Sequence, residues 1–294
     1  MTRESLTDTF LRLLNLNDSN PAISGKIFEI ISGAPDSAER DGLMALLHYE
    51  GIGVPADLDK SFEYAEKAAF EGDDPLGYYV LGHMCDKAET PDQAEGGPRQ
   101  KYDHYDAERF YEKCAEKESH WKRYACNWLG DYSLNMARGG DPEVGIEYLE
   151  QIADKDVEAA GRLSDYFWDL VMPDYTDDKE RADSLFRWTQ KAVELDEDDE
   201  EYLYRLGWLY ADGIGCEKSF WMALKYFGLA YFAGDWRGAE SIANVLEERL
   251  DEGHDLTPEE EKEFRADIEK WRRRAADMKS EADSEDPDPS IEED

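Results

Sequence analysis

The chain has 294 residues and a formal net charge of −38, from 71 acidic against 33 basic side chains, a field that repels nucleic acid and anionic membrane and attracts basic partners. No stretch approaches the roughly 20 apolar residues of a membrane span. The opening "MTRESLTDTFLRLLNLNDSN" lacks the basic head, apolar run and small-residue cleavage site of a secretory signal, so a cytoplasmic protein is expected.

In chain order, "SLTDTFLRLLNLN" and "PAISGKIFEIIS" read as two short helices, an N-terminal cap over residues 1–36. The stretch Leu47–Asp73, "LHYEGIGVPADLDKSFEYAEKAAFEGD", then aligns without a gap on Leu209–Asp235, "LYADGIGCEKSFWMALKYFGLAYFAGD". Gly51-Ile52-Gly53 falls on Gly213-Ile214-Gly215, Tyr64 on Tyr226, Ala68 on Ala230, and Gly72-Asp73 on Gly234-Asp235. Punctuation and helix core match while the surface drifts, which marks an internal repeat. Within the later copy Leu203, Leu206 and Tyr210 share one helix face at spacings of three and four. Gly207 sits inside that helix, where glycine costs about 1 kcal/mol relative to alanine, so close packing is the simplest reason for it. Gly-Ile-Gly ends the helix, since glycine adopts the left-handed conformation at a helix end. Ala223, Tyr226 and Ala230 are expected to form the stripe of the second helix.

Weaker copies lie between. Residues 76–119 hold Gly82 in the first helix and Ala107, Phe110 and Cys114 in the second, separated by a polar insertion at 86–104. Residues 121–156 carry Gly130, then Gly145, Tyr148 and Ile152, and residues 157–196 place Ser164 at the glycine position. A half-copy follows at 236–250. Thr257, Pro258 and Glu260 form a helix start with a capping box, and Phe264, Ile268, Trp271 and Ala275 share a face, so residues 256–279 read as a capping helix. The remainder, 280–294, has no basic residue and is expected to be a disordered acidic tail.

The recurring pattern is a small residue, Tyr, Leu-Gly, Tyr, Gly-x-Gly, then an alanine/aromatic helix ending near Gly-Asp. It resembles the Sel1-like repeat, a relative of the tetratricopeptide repeat. The resemblance implies an all-α, right-handed solenoid of helix-turn-helix units over residues 37–250, about five pairs plus a half-repeat, with helical caps. It departs from the family at Ala45, where glycine is usual, and at the second and fourth units, where insertions replace the Gly-x-Gly loop. Secreted, cysteine-rich members join paired helices by disulfides. Here only one unit has two cysteines, Cys85 and Cys114, both at core-stripe positions, so buried thiols are the expected reading.

No catalytic, metal or cofactor constellation stands out. Cys85, Cys114, Cys126 and Cys216 form no C-x-x-C pair, and the five histidines show no H-E-x-x-H spacing. Asp103, His104 and Asp106 in the insertion read as loop polarity. Neither Gly-Ile-Gly loop continues as a phosphate-binding motif. Carboxylate pairs carry little information in so acidic a chain.

In helix-pair solenoids the first helices line a concave face. With Leu206 and Tyr210 turned to the core, Tyr204 and Trp208 point into that groove. By offset the companions are Tyr79 and His83, Asn127 and Asp131, Asp165, and Asn244. Aromatic rings beside amides and carboxylates suit an extended peptide. The alternative for Tyr79 and Trp208 is packing against the next repeat. The expected function is a non-catalytic scaffold or adaptor for a protein or peptide with a basic face, with no cofactor, no direct nucleic-acid contact and no membrane. The other reading is an acidic inhibitor that mimics nucleic-acid charge. The charge itself fits either recognition or general solubility.

Overall fold

The computed structural model describes residues 5–17, 21–87, 102, 104–135, 140–172, 178–252 and 256–285. These residues form fourteen α-helices and no strand. Most of the 86–104 insertion, and residues 286–294 of the acidic tail, lie outside them. The chain divides into two compact units, Met1–Tyr148 and Leu149–Asp294.

The first unit opens with α1 (Leu6–Asn17) and α2 (Ser24–Ser32). Next come α3 (Ala38–Glu50) and α4 (Leu58–Glu66), the latter extended by a π-helical turn over Lys67–Glu71. The pairs α5 (Pro75–Asp86) with α6 (His104–Ala115), and α7 (Lys122–Leu134) with α8 (Pro142–Glu150), follow. Asp106, read from the sequence as loop polarity, lies in the first turn of α6. The second unit holds α9 (Val157–Val171), α10 (Lys179–Leu195), α11 (Glu200–Asp212), α12 (Phe220–Ala233), α13 (Trp236–Asp251) and α14 (Pro258–Glu285).

Side-chain oxygens start most first helices. Ser37, Asp74, Asp156, Asp199 and Asp235 accept from the first-turn N–H groups of α3, α5, α9, α11 and α13. Each satisfies donors that a helix start leaves unpaired. The Gly-Ile-Gly loops work as two separate devices. Gly51 and Gly213 end α3 and α11 in the left-handed conformation, with φ of 70° and 74°. The second glycines, Gly53 and Gly215, also have positive φ, and a Cβ on them would collide with the carbonyls of Ser24 in α2 and Ala182 in α10. The loop therefore both terminates a helix and seats it on the preceding pair.

The same comparison shows what the N-terminal helices do. In the second unit Phe186 meets Tyr210 edge-on (5.3 Å), and Tyr210 stacks on Tyr226 (5.6 Å). In the first, Phe28 meets His48 edge-on (6.0 Å), and His48 stacks on Tyr64 (5.8 Å). Thus α2 holds the place before its repeat that α10 holds before the other.

The core follows the small-against-large logic of the sequence, with local differences. Phe227, not Tyr226, fills the space under Gly207; Phe227 is buried with Ala223 and Ala230, while Tyr226 is half-buried. Ser164 replaces glycine because its partner is also a hydroxyl: Ser164 Oγ and Thr189 Oγ1 lie 2.8 Å apart, and Thr189 donates onward to the Leu185 carbonyl. Helix α14 packs along α13, with Ile268 buried and Phe264 and Trp271 against the same cluster. It completes a pair with α13 instead of standing alone beyond a half-repeat. Its capping box forms as expected: Thr257 N–H donates to Glu260 Oε2 (2.7 Å), and Glu260 N–H to Thr257 Oγ1 (3.3 Å). The helix continues to Glu285, so residues 280–285, expected in a disordered tail, are helical.

Candidate functional site

In the second unit, the first helices α11 and α13 flank a groove floored by Phe227 of α12. A cavity of about 240 Å³ there is lined by Trp208, Ala211, Asp212, Phe227, Ser241, Asn244, Val245 and Glu248. A neighbouring hollow of about 310 Å³ shares Ala211, Val245 and Glu248 and adds Lys218, Phe220, Arg249 and Glu252. The two form a trough with an apolar floor and a mostly acidic rim.

Trp208 is fixed from below and behind. Its indole N–H donates to the Tyr204 hydroxyl at 3.0 Å, one helical turn back. Tyr204 in turn lies 5.8 Å from the Phe227 ring and under the Arg237 guanidinium at 4.5 Å. Arg237 is held by Asp235 (2.9 Å) and Glu201 (2.6 Å). Burial would raise the Glu201 carboxyl, but hydrogen bonds from Arg237 and Arg205 outweigh it and hold it below the usual range. At the far rim Lys218 binds Glu248 at 2.8 Å. Asp212 is exposed, yet partial desolvation of its carboxyl, offset in part by Lys218 and reinforced by Glu248, pushes its pKa up. A cation in the trough would relieve that unfavourable placement.

The predicted site residues separate by unit. Trp208 and Asn244 line the groove together, and Tyr204 positions Trp208. Asp165 is exposed but ion-paired to Arg205 at 2.5 Å. In the first unit Tyr79 and His83 stack on each other (6.0 Å) inside an aromatic cluster with Tyr49, Tyr111, Trp121 and Tyr124. Burial, then Tyr124 and Glu50, push the Tyr79 hydroxyl up to about 12. Asn127 is buried at 6 % exposure, so it does not line an open groove; Asp131 is exposed. Sequence reasoning missed Asp212, Ser241 and Glu248. The signal was available, since they stand four residues after Trp208, three before Asn244 and four after Asn244 on the same helix faces.

Among the described residues no group of histidine, cysteine or acidic side chains could hold a metal ion. No described helix is long and apolar enough to cross a membrane. Cys85, Cys114, Cys126 and Cys216 are free thiols, the first three buried.

Comparison with known proteins agrees with this architecture. The Sel1 repeat family model matches residues 41–73, 123–157 and 201–235. A Sel1 repeat protein from Oxalobacter formigenes superposes with a TM-score of 0.51 at 16% identity, over 91% of this chain and 96% of that one. A protective antigen of uropathogenic Escherichia coli with the same repeat fold gives 0.53 at 15% identity, over 99% of this chain and 66% of that one. No curated protein matches the sequence. Sel1 repeats therefore stand at three positions of a chain that is all-α and of the solenoid class. Such folds commonly mediate protein–protein interaction and are generally non-catalytic scaffolds.

Proposed function

We propose that this protein is a cytoplasmic, non-catalytic adaptor that binds an extended basic segment of a protein partner in the α11–α13 groove. The observation that carries the reading is the shared placement of Trp208 and Asn244 over the Phe227 floor, with Asp212 and Glu248 at the rim. A half-buried ring supplies contact area, an amide holds backbone, and the rim carboxylates favour Lys or Arg. Nothing in the geometry favours charge mimicry of nucleic acid.

The test is capture from source lysate by the wild-type chain and by the Tyr204→Ala/Trp208→Ala variant, washed at low and at raised salt. A partner retained at raised salt and lost with the variant supports the groove. Partners that are lost with salt and indifferent to the variant refute it.

A further inference from the structure

Helix α12 is apolar around its whole circumference but for Lys225, yet only one side faces the core. Ala223, Phe227 and Ala230 are buried against α11 and α13. The opposite face presents Trp221 and Phe232 at 74% and 79% exposure, with Leu229 beside them at 40%. Between the two rings lies Gly228, with no atom within 4 Å of where its Cβ would be.

The fold does not demand this face. In the first copy of the repeat the same positions on α4 read Asp59 for Trp221, Glu63 for Lys225 and Glu66 for Gly228. The remaining match, Phe70, packs on Tyr78, Tyr102 and Phe110, whereas Phe232 meets only its neighbour Tyr231 among described rings. One copy keeps a solvated outer face, and the other has replaced it. In a chain with 71 acidic residues, α12 contains none. A large exposed apolar patch on a soluble protein marks an interaction surface.

The order of side chains identifies the occupant. Read from either end, the face pairs Trp221 with Phe232 and Lys225 with Gly228 about one midpoint, with Leu229 along one edge and the partly buried Leu224 along the other. A two-fold interface needs this self-complementarity, because each residue meets its mirror-position partner on the other copy. We propose that the outer face of α12 pairs antiparallel with the same face of a second copy of this chain. Each Trp221 ring packs on the other copy's Phe232, and each Lys225 stem lies over the other's Gly228, where the missing side chain lets the helices approach. The absence of acid lets two strongly acidic molecules touch here. One helix face about 21 Å long is smaller than the roughly 800 Å² per partner of a standard interface, so the dimer is weak.

Sedimentation velocity on the full chain tests this at about 1 μM and about 200 μM, in 0.15 M and 0.5 M salt (about 8 and under 5 Å of screening length). Wild type should be monomeric when dilute and dimeric when concentrated, more so at high salt, where repulsion between the acidic copies is screened. Trp221→Asp and Phe232→Arg should each be monomeric throughout. An equimolar mixture of the two should dimerise again, since the introduced carboxylate of one chain then faces the introduced guanidinium of the other and one native Trp–Phe contact remains. Recovery on mixing also shows that both variants are folded. A wild type that stays monomeric at about 200 μM overturns the proposal, as does a dimer indifferent to both substitutions. Failure of the mixture to recover, with both variants helical by circular dichroism, overturns the antiparallel arrangement.

Discussion

Asp74 and Asp235 occupy the same place in two copies of the repeat. Each caps a first helix, and each N–H closes on the carbonyl of the equivalent alanine, Ala68 at 3.0 Å and Ala230 at 2.9 Å. Yet Asp74 is one residue further along than the repeat spacing requires. The π-helical turn over Lys67–Glu71 and the left-handed Asp73 (φ 53°) absorb the extra residue. Beyond them the copies return to register: a Cβ on Gly77 would stand 2.6 Å from the Ala69 amide, and one on Gly238 would stand 2.8 Å from the Tyr231 amide.

The shift leaves Asp74 in a poor electrostatic position. Asp235 binds Arg237, whereas Asp74 is half-buried near Glu39 and Asp41. Burial raises its pKa to about 6, against which its bonds from the Gly77 and Leu76 amides act only partly. The folded state therefore holds this proton more tightly than the unfolded chain. Its contribution to stability is lost as pH rises through about 6 and is fully present below the ordinary value of 3.8. Asp74→Asn keeps the cap without the charge. It should raise stability at pH 7 by on the order of 1–2 kcal/mol and gain nothing near the acid end of the titration. His48 acts in the opposite sense: burial, then Lys60, lower its pKa, so acid costs stability there. Urea titrations of both proteins across the acid-to-neutral range isolate the Asp74 part as their difference.

Two glycines on paired helices should respond oppositely to alanine. At Gly207 a Cβ would stand 2.5 Å from the buried Phe227 ring, which has no room to retreat. Overpacking of this kind costs about 1–3 kcal/mol and outweighs the helix-propensity gain of about 1 kcal/mol. At Gly228 the space is open, so Gly228→Ala should show the propensity gain alone. Denaturation midpoints at low micromolar concentration, where any self-association is absent, measure both.

The four thiols should differ in reactivity. Burial pushes Cys126 and Cys216 up to about 11, and burial with the nearby Cys126 raises Cys114 further. Only Cys216 is half-exposed, in the loop after α11, and it donates to the Leu209 carbonyl. In native buffer one equivalent should react slowly with a thiol reagent, and all four rapidly in denaturant. Fewer than four in denaturant would reveal a disulfide, and peptide mapping would show whether it joins Cys85 to Cys114.

Much of this was legible in the sequence because repeats write packing twice. Gly213, Gly207 and the Leu203–Leu206 face are local demands of one helix end, one close contact and one stripe, and each has a residue signature. The extra residue before Asp74 was not legible, because Gly72-Asp73 and Gly234-Asp235 align letter for letter while the backbone inserts a turn. The choice of Phe227 over Tyr226 for the core was also hidden, since adjacent aromatics differ by only about 100° of helix rotation. Asn127 failed for a related reason. Offset from Trp208 transfers a position, but its exposure depends on the neighbouring pair. The place of α14 beside α13 depends on long-range packing that no short motif encodes.

The groove makes the last prediction. Trp208 offers a partner its ring, while its N–H is already committed to Tyr204. Trp208→Phe should therefore keep part of the contact area and lose the tether, and Trp208→Ala should lose both. A truncation at the centre of an interface costs about 2 kcal/mol or more, some thirtyfold in affinity, so Trp208→Ala should weaken the partner by at least that factor. Tyr204→Phe removes only the acceptor and should cost less than tenfold, through a freer Trp208. Asn244→Ala should act as strongly as Tyr204→Phe or more, since its amide lines the cavity directly. Titration calorimetry with the captured partner would order the four variants. Equal affinities for Trp208→Ala and wild type would move the binding surface off this groove.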